Sequence, residues 1–327
     1  MPEVIDVHSH FLPGALVDAL AARTELPRIS DAPQGRVIEY GRGNIHPLLP
    51  AMGDIDQRLH DMDDQGIDMA VLGVNVPGVD WFPPADGPSV ARAVNDELAA
   101  LVAAHPSRLV AMATLPMQDP EAAASELERA VGAGFRGAMI YSNVAGRALD
   151  EPEFRVVFDA AAELDVPVFI HPTFPLSAKA VDAYAFIPTL GFLVDTTMAT
   201  LRLVFDGLYE RHPEFRLVLA HAASLIPQLA GRIDYEGERF KGGYGALSVK
   251  PSEALKLLYT DTVCVWPPAL RSTFELLGPE RIMFGSDYPF WDPTRTFATM
   301  ADSSFLAESL DAVQSATARR VFAIAEG

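Results

Sequence analysis

Two histidines, His8 and His10, close the apolar run Val4-Ile5-Asp6-Val7 near the start of the chain. Such a β-branched run reads as a buried strand. Side chains on a strand repeat every two residues, so both imidazoles leave the same face. Two imidazoles aimed at one point can hold a divalent cation, although an isolated His-x-His is as readily a structural pair. Further along, His171 follows the apolar stretch 166–170, His221 follows 216–220, and Asp287 follows 281–285. Three imidazoles and a carboxylate bind Zn²⁺ while leaving a position for water or substrate, and nitrogen-rich sites also take iron, manganese or cobalt. His8, His10, His171 and Asp287 are therefore expected to hold one divalent ion, zinc first and manganese second. His221 is expected to act as the catalytic base, with Asp287 sharing the proton work.

These residues meet only if the ends of their strands meet. Helical patterns over 54–66, 88–104, 120–132, 151–164, 187–211, 225–240 and 267–277 alternate with strand patterns over 68–74, 108–115, 135–141, 166–170, 216–220, 257–263 and 281–285. About eight strands alternating with helices predict an α/β fold, a (β/α)8 barrel, with a doubly wound open sheet as the rival. No glycine-rich phosphate loop follows any strand; Gly242-Gly243-Tyr244-Gly245 comes after a helix and lacks the following Lys-Ser/Thr. In a barrel the site lies at the carboxyl ends of the strands, which places His8 and His10 after strand one, His171 after strand five, His221 after strand six and Asp287 after strand eight. Residues 11–50 read as an irregular insertion with short strands near 36–40, folding over the mouth as a lid. No linker divides the chain, so 1–327 is expected to be one domain. His60, His105 and His212 are read as surface residues.

The net charge of −19, with 25 Lys+Arg against 44 Asp+Glu, excludes nucleic acid and anionic membrane surfaces as partners. A small anionic substrate is still admitted, because a bound metal reverses the local field. Cys264 is the only cysteine, which rules out an internal disulfide and suits a reducing compartment; it is read as a small buried hydrophobe. The amino terminus lacks the pattern of a signal peptide, and no apolar stretch is expected to reach the length of a membrane span. A cytoplasmic protein is expected.

Asp6-Val7-His8-Ser9-His10, Ile170-His171-Pro172, Leu219-Ala220-His221 and Gly285-Ser286-Asp287-Tyr288-Pro289-Phe290 together resemble the motif set of the amidohydrolase superfamily. The resemblance is to amidohydrolase-related family 2, the subgroup around aminocarboxymuconate semialdehyde decarboxylase. It covers nearly the whole chain, including 62–68 and Asp195-Thr196-Thr197. It implies a distorted barrel, a single divalent metal that is usually zinc, and carbon–carbon cleavage with loss of CO2 in many members. The preferred expectation is a metal-dependent nonoxidative decarboxylase of a small carboxylated aromatic or unsaturated ring-cleavage product. The alternative is hydrolysis of an ester, lactone or amide by the same residues.

Three departures and correspondences bear on the substrate. Where the subgroup carries a substrate-binding arginine, this chain has Gly43-Asn44-Ile45-His46-Pro47, and histidine lacks the permanent bidentate fork that grips a carboxylate. That argues against the aminocarboxymuconate substrate itself and leaves His46 as a candidate substrate contact. Glycines usual after the strand-six histidine are replaced by Ala222-Ala223-Ser224. Arg232 matches an arginine that reaches the neighbouring subunit's site in a homodimer; otherwise it is an exposed helix residue paired with Asp234 or Glu236. Trp266, Phe290 and Trp291, after strands seven and eight, either line an aromatic pocket or merely pack.

Overall fold

The computed structural model describes residues 3–33, 35–41 and 44–325. The chain opens with β1 (Ile5–Phe11), buried along its whole length. Then come α1 (Gly14–Ala21) and an antiparallel sheet of β2 (Arg28–Ala32), β3 (Gly35–Gly41) and β4 (Asn44–Pro47). Alternation follows with α2 (Ile55–Gln65), β5 (Met69–Val74), α3 (Gly87–Ala104), β6 (Leu109–Ala111), β7 (Ala113–Thr114), α4 (Pro120–Gly132) and β8 (Ala138–Tyr141). A short hairpin of β9 (Asn143–Val144) and β10 (Arg147–Ala148) precedes α5 (Arg155–Glu163), β11 (Val168–His171), α6 (Phe192–Phe205), α7 (Leu208–Arg211) and β12 (Leu217–Leu219). The remainder is α8 (Ile226–Arg239), α9 (Pro251–Leu255), β13 (Tyr259–Asp261), α10 (Pro267–Leu277), β14 (Ile282–Met283), α11 (Pro293–Ala301) and α12 (Thr317–Val321).

β6 and β7 are halves of one barrel strand, interrupted at Met112, whose N–H donates back to Leu72. Taken in the order β1, β5, β6–β7, β8, β11, β12, β13, β14, neighbouring strands run parallel. The Val7 N–H donates to the Phe284 carbonyl at 2.9 Å, and Ser9 bridges Tyr288, so the last strand returns to the first. This is the expected (β/α)8 barrel, with no open edge in its central sheet.

Side chains that alternate along the strands fill the interior. Ile5, Val7, Met69, Val71, Met112, Met139, Phe169, Val218 and Met283 form one buried cluster, plugged at the bottom by Ala318 and Val321 of the last helix and by Phe322 just after it. β1 breaks its own alternation. Asp6 pairs with Ala70 but Ser9 with Leu72, so β1 carries one residue more than β5 over that step, a β-bulge. Below the bulge Ile5 and Val7 point inward, and above it the register is reset so that His8 and His10 do.

Helix ends are legible where the cap is local. Asp54 accepts the Gln57 N–H and Gly66 takes the left-handed conformation at φ 70°, which bounds α2; Asp119 does the same service for α4, with Pro120 in the first turn. The expectation of an irregular 11–50 is corrected. α1 buries Leu16 and Leu20, one turn apart, and the antiparallel sheet buries Ile29, Val37 and Ile38. The cap of α1 comes from far away: Glu97 on α3 accepts the Gly14 and Ala15 N–H groups, so no local signal announces the helix.

A second correction concerns length and apolarity. The helical run Ile187–Phe205 is long and apolar enough by composition to cross a membrane. Its placement is that of a barrel helix. Buried Asp195 accepts from the Ser142 hydroxyl, from Asn143 Nδ2 and from the Leu176 N–H, which ties α6 to the loops after β8 and β11.

Arg58 on α2 is fully buried. Its Nη2 lies 3.2 Å from Asp6 Oδ2 and its guanidinium stacks 4.0 Å from the Tyr288 ring centroid. Burial pushes the Asp6 carboxyl up, while Arg58 and the Ser286 hydrogen bonds pull against that. Replacing Arg58 by Leu leaves Asp6 buried without its cation, and a loss of about 3 kcal/mol is expected. Urea unfolding of the two proteins measures it.

Candidate metal centre

At the carboxyl end of the barrel the four histidines and Asp287 come together. The Nε2 atoms of His8, His10 and His221 stand 3.4, 3.1 and 3.4 Å from the Asp287 carboxylate oxygens. The ring centroids of His10 and His171 are 4.5 Å apart, and His8 lies 5.1 Å from each of His10, His171 and His221. His8 Nδ1 is 2.7 Å from Asp261 Oδ2 and His171 Nδ1 is 2.8 Å from the Pro172 carbonyl. Since those oxygens accept, both Nδ1 atoms carry the proton and both Nε2 atoms face the cluster. His8 Nε2 is buried and makes no hydrogen bond.

Ligand atoms of His8, His171, His221 and Asp287 all lie within 4.8 Å of one another. The expected residues converge, but this tight group includes His221, the expected base, whereas His10 presents Nε2 to Asp287. Burial disfavours the Asp287 carboxylate, yet His8, His10 and His221 prevail and hold it well below the usual carboxylate range. His8, between Asp287 and Asp261, is raised against the effect of burial, whereas burial and the neighbouring histidines hold His171 well below the ordinary histidine range. Burial also lowers His10.

The backbone under His221 is strained. His221, Ala222, Ala223 and Ser224 have φ of 60°, 51°, 62° and 54°, four consecutive left-handed residues, none of them glycine. Three hydrogen bonds pin the turn: His221 N–H to Asp261 Oδ2 at 3.1 Å, Ala222 N–H to Asp261 Oδ1 at 3.0 Å and Ala223 N–H to Thr260 Oγ1 at 2.6 Å. Glycines would suit this turn better, which gives a physical meaning to their replacement here. Asp287 also has φ near 60° and donates its N–H to the His8 carbonyl at 2.7 Å. Asp261 escaped the sequence reading; the signal was a carboxylate inside the apolar stretch 257–263, the strand pattern between those that carry His221 and Asp287.

The amidohydrolase family profile matches residues 5–324. The chain belongs to the amidohydrolase family. It is 31% identical over 315 residues to the gamma-resorcylate decarboxylase of Rhodococcus jostii, spanning 89% of this chain and 85% of that one. It is 30% identical over 241 residues to the 2-amino-3-carboxymuconate-6-semialdehyde decarboxylase of Dictyostelium discoideum, spanning 72% and 67%. Among solved structures, the dihydroxybenzoic acid decarboxylase of a Polaromonas species, with bound manganese and the inhibitor 2-nitroresorcinol, superposes with a TM-score of 0.85 at 27% identity, over 100% of this chain and 98% of that one. The resemblance drawn from the motifs is borne out, as are the barrel and the expectation of a metal-dependent carboxy-lyase.

Above the cluster this amidohydrolase has a cavity of about 510 Å³, floored by His171, His221 and Asp287. Its walls include His46, Trp266, Phe290 and Trp291, all anticipated from the sequence. Arg232 is not among them. It is exposed on α8 and forms neither anticipated ion pair, since Asp234 is bonded to Ser252 and Glu236 to Arg239. Cys264 packs against the core but is only half-buried and also lines the cavity, its thiol raised by burial. His60 is exposed and His212 pairs with Asp159 at 2.7 Å, both remote from the cluster.

Asp261→Asn removes the carboxylate that fixes His8 and the turn. Metal affinity is expected to fall about 10–100-fold with the far-ultraviolet circular dichroism unchanged; titration with Mn²⁺ or Zn²⁺ measures it.

Proposed function

We propose that this amidohydrolase is a nonoxidative decarboxylase of a small aromatic carboxylate, with His8, His10, His171 and Asp287 holding one divalent ion and His221 handling the proton. The observation that carries the reading is the ring of imidazole Nε2 atoms around buried Asp287, opening onto an aromatic-walled cavity. A buried ring nitrogen without a hydrogen bond, on a histidine whose other nitrogen is fixed by a carboxylate, fits a cation's donor set. When bound, the ion supplies a Lewis acid that holds the substrate's oxygens and stabilises the negative charge left as CO2 departs. Zinc suits the three imidazoles and one carboxylate best, with manganese as the alternative.

Each remaining task falls to a residue of the chain. His171 and His221 both reach the cavity while His8 and His10 lie beneath it; His171 is tied through Nδ1 to the Pro172 carbonyl and is taken as a ligand, which leaves His221 as the imidazole that serves the ring. As the carbon–carbon bond breaks, its electron pair stays on the ring carbon, CO2 leaves, and a proton delivered from His221 Nε2 takes its place. Asp287, 3.4 Å from that nitrogen, keeps the imidazole aimed at the centre. Trp266, Phe290 and Trp291 line the cavity with aromatic surface against which a substrate ring packs and which limits water around the developing carbanion. The same reading takes the protein as one domain and as a cytoplasmic homodimer; Arg232, exposed on α8 and without an ion pair among the described residues, and the lone cysteine support it.

His221→Asn is expected to keep about one equivalent of metal by elemental analysis and to lower CO2 release from 2,6-dihydroxybenzoate by roughly 10²–10⁴-fold. Loss of the metal instead would make His221 a ligand, and ester or lactone cleavage without CO2 release in the wild type would overturn the carboxy-lyase reading.

A further inference from the structure

Most hydroxyls of the cavity wall are already engaged within the protein. Tyr40 donates to the Val76 carbonyl, Thr189 to Ala185, Thr273 to Ala222, and Ser224 pairs with Thr196. Asn75 and His46, on one side of the mouth, are different. Asn75 stands at the end of β5 and is 1% exposed, and its Oδ1 is buried without a hydrogen-bond partner. Its backbone is held firmly, with the N–H donating to Phe11 at 3.3 Å and the carbonyl accepting from the Tyr141 hydroxyl at 3.3 Å. The side chain is therefore buried on a well-anchored stretch of backbone, with its amide oxygen unpartnered.

His46 sits on β4 and lines the same cavity, its ring edge-on to Tyr40 with centroids 5.5 Å apart. Among the described residues its imidazole makes no hydrogen bond either. The Tyr40 hydroxyl reaches Val76, the residue after Asn75, so the two free groups are brought to one side of the cavity by a single contact at 2.9 Å. Burial holds His46 below the ordinary histidine range, which keeps the ring neutral near neutral pH.

A buried amide oxygen without a donor is costly, and such groups in native proteins are met by water or a ligand. A carboxamide and a neutral imidazole each donate and accept, as a hydroxyl does; a second carboxylate only accepts and brings a charge that neither group compensates. We propose that Asn75 and His46 form a subsite that reads a hydroxyl on the substrate ring, apart from the carboxylate that meets the histidine cluster. The subsite deepens the decarboxylase reading and rests on it for the placement of the carboxylate.

The test is equilibrium binding to the metal-loaded protein of benzoate, the three monohydroxybenzoates and benzene-1,3-dicarboxylate. At least one hydroxybenzoate is expected to bind about tenfold more tightly than benzoate, and the dicarboxylate no more tightly than benzoate. Asn75→Leu and His46→Phe should each shrink the hydroxyl preference severalfold while benzoate affinity stays within about twofold. His46 lies on the peripheral sheet, so its variant is read even if Asn75→Leu fails to fold. A preference that persists in His46→Phe and in Asn75→Leu, or tighter binding of the dicarboxylate, would overturn the subsite. CO2 release is scored separately: its absence beside an intact, variant-sensitive preference supports the subsite and counts against the decarboxylase reading alone.

Discussion

The carboxylate of Asp261 is fully buried and accepts from four donors: His8 Nδ1 and the backbone N–H groups of His221, Ala222 and Val263. A buried charge is tolerable only when it is paired and fully hydrogen-bonded. Burial raises this carboxyl, but His8 and these donors prevail and keep it below the usual carboxylate range. Two consequences follow from one group. It sets which nitrogen of His8 carries the proton, and it holds the turn that presents His221. The left-handed turn of four residues costs about 4–8 kcal/mol at roughly 1–2 kcal/mol each. Two hydrogen bonds to a carboxylate and one to a hydroxyl return about 4–7 kcal/mol. The strain and its compensation are of one size, so the turn persists because Asp261 is beneath it.

The second constraint is the closure of the barrel. Ser286 donates through both its N–H and its hydroxyl to Asp6, and the Asp287 N–H donates to the His8 carbonyl, so the strands that flank the seam are laced together beside the cluster. Gly285 lies between them, where a Cβ would come within 2.8 Å of both His8 Cβ and Asp261 Cβ. The bulge in β1 then turns His8 and His10 inward above the apolar plug. Apolar packing below and the histidine cluster above thus share one strand, separated by a single extra residue.

Much of this was legible in the sequence, for reasons that differ by residue. Parallel strands put their ends on one rim, so His8, His10, His171, His221 and Asp287 could be gathered from spacing and alternation alone. α2 and α4 announce themselves because their caps are neighbours in sequence. α1 does not, because its cap is Glu97. Asp261 was missed because a single acidic residue in an apolar run has no spacing to recognise, and its partners are 40 and 253 positions away. The entry of His221 into the tight group depends on a left-handed turn that alanines do not advertise. Asn75 was visible only as the end of a strand; its significance is an unmet hydrogen bond, which no sequence displays.

The seam also has a temporal meaning. Asp6 and Ser286 are separated by 280 positions, and β1 lacks its β14 neighbour until nearly the whole chain exists. A growing chain on the ribosome therefore exposes all four clustered histidines before it can offer Asp287, and it does so on an open-edged sheet. The complete cluster waits for the last eighth of synthesis. The histidines and the carboxylate they surround are therefore gathered only when the last strand closes on the first.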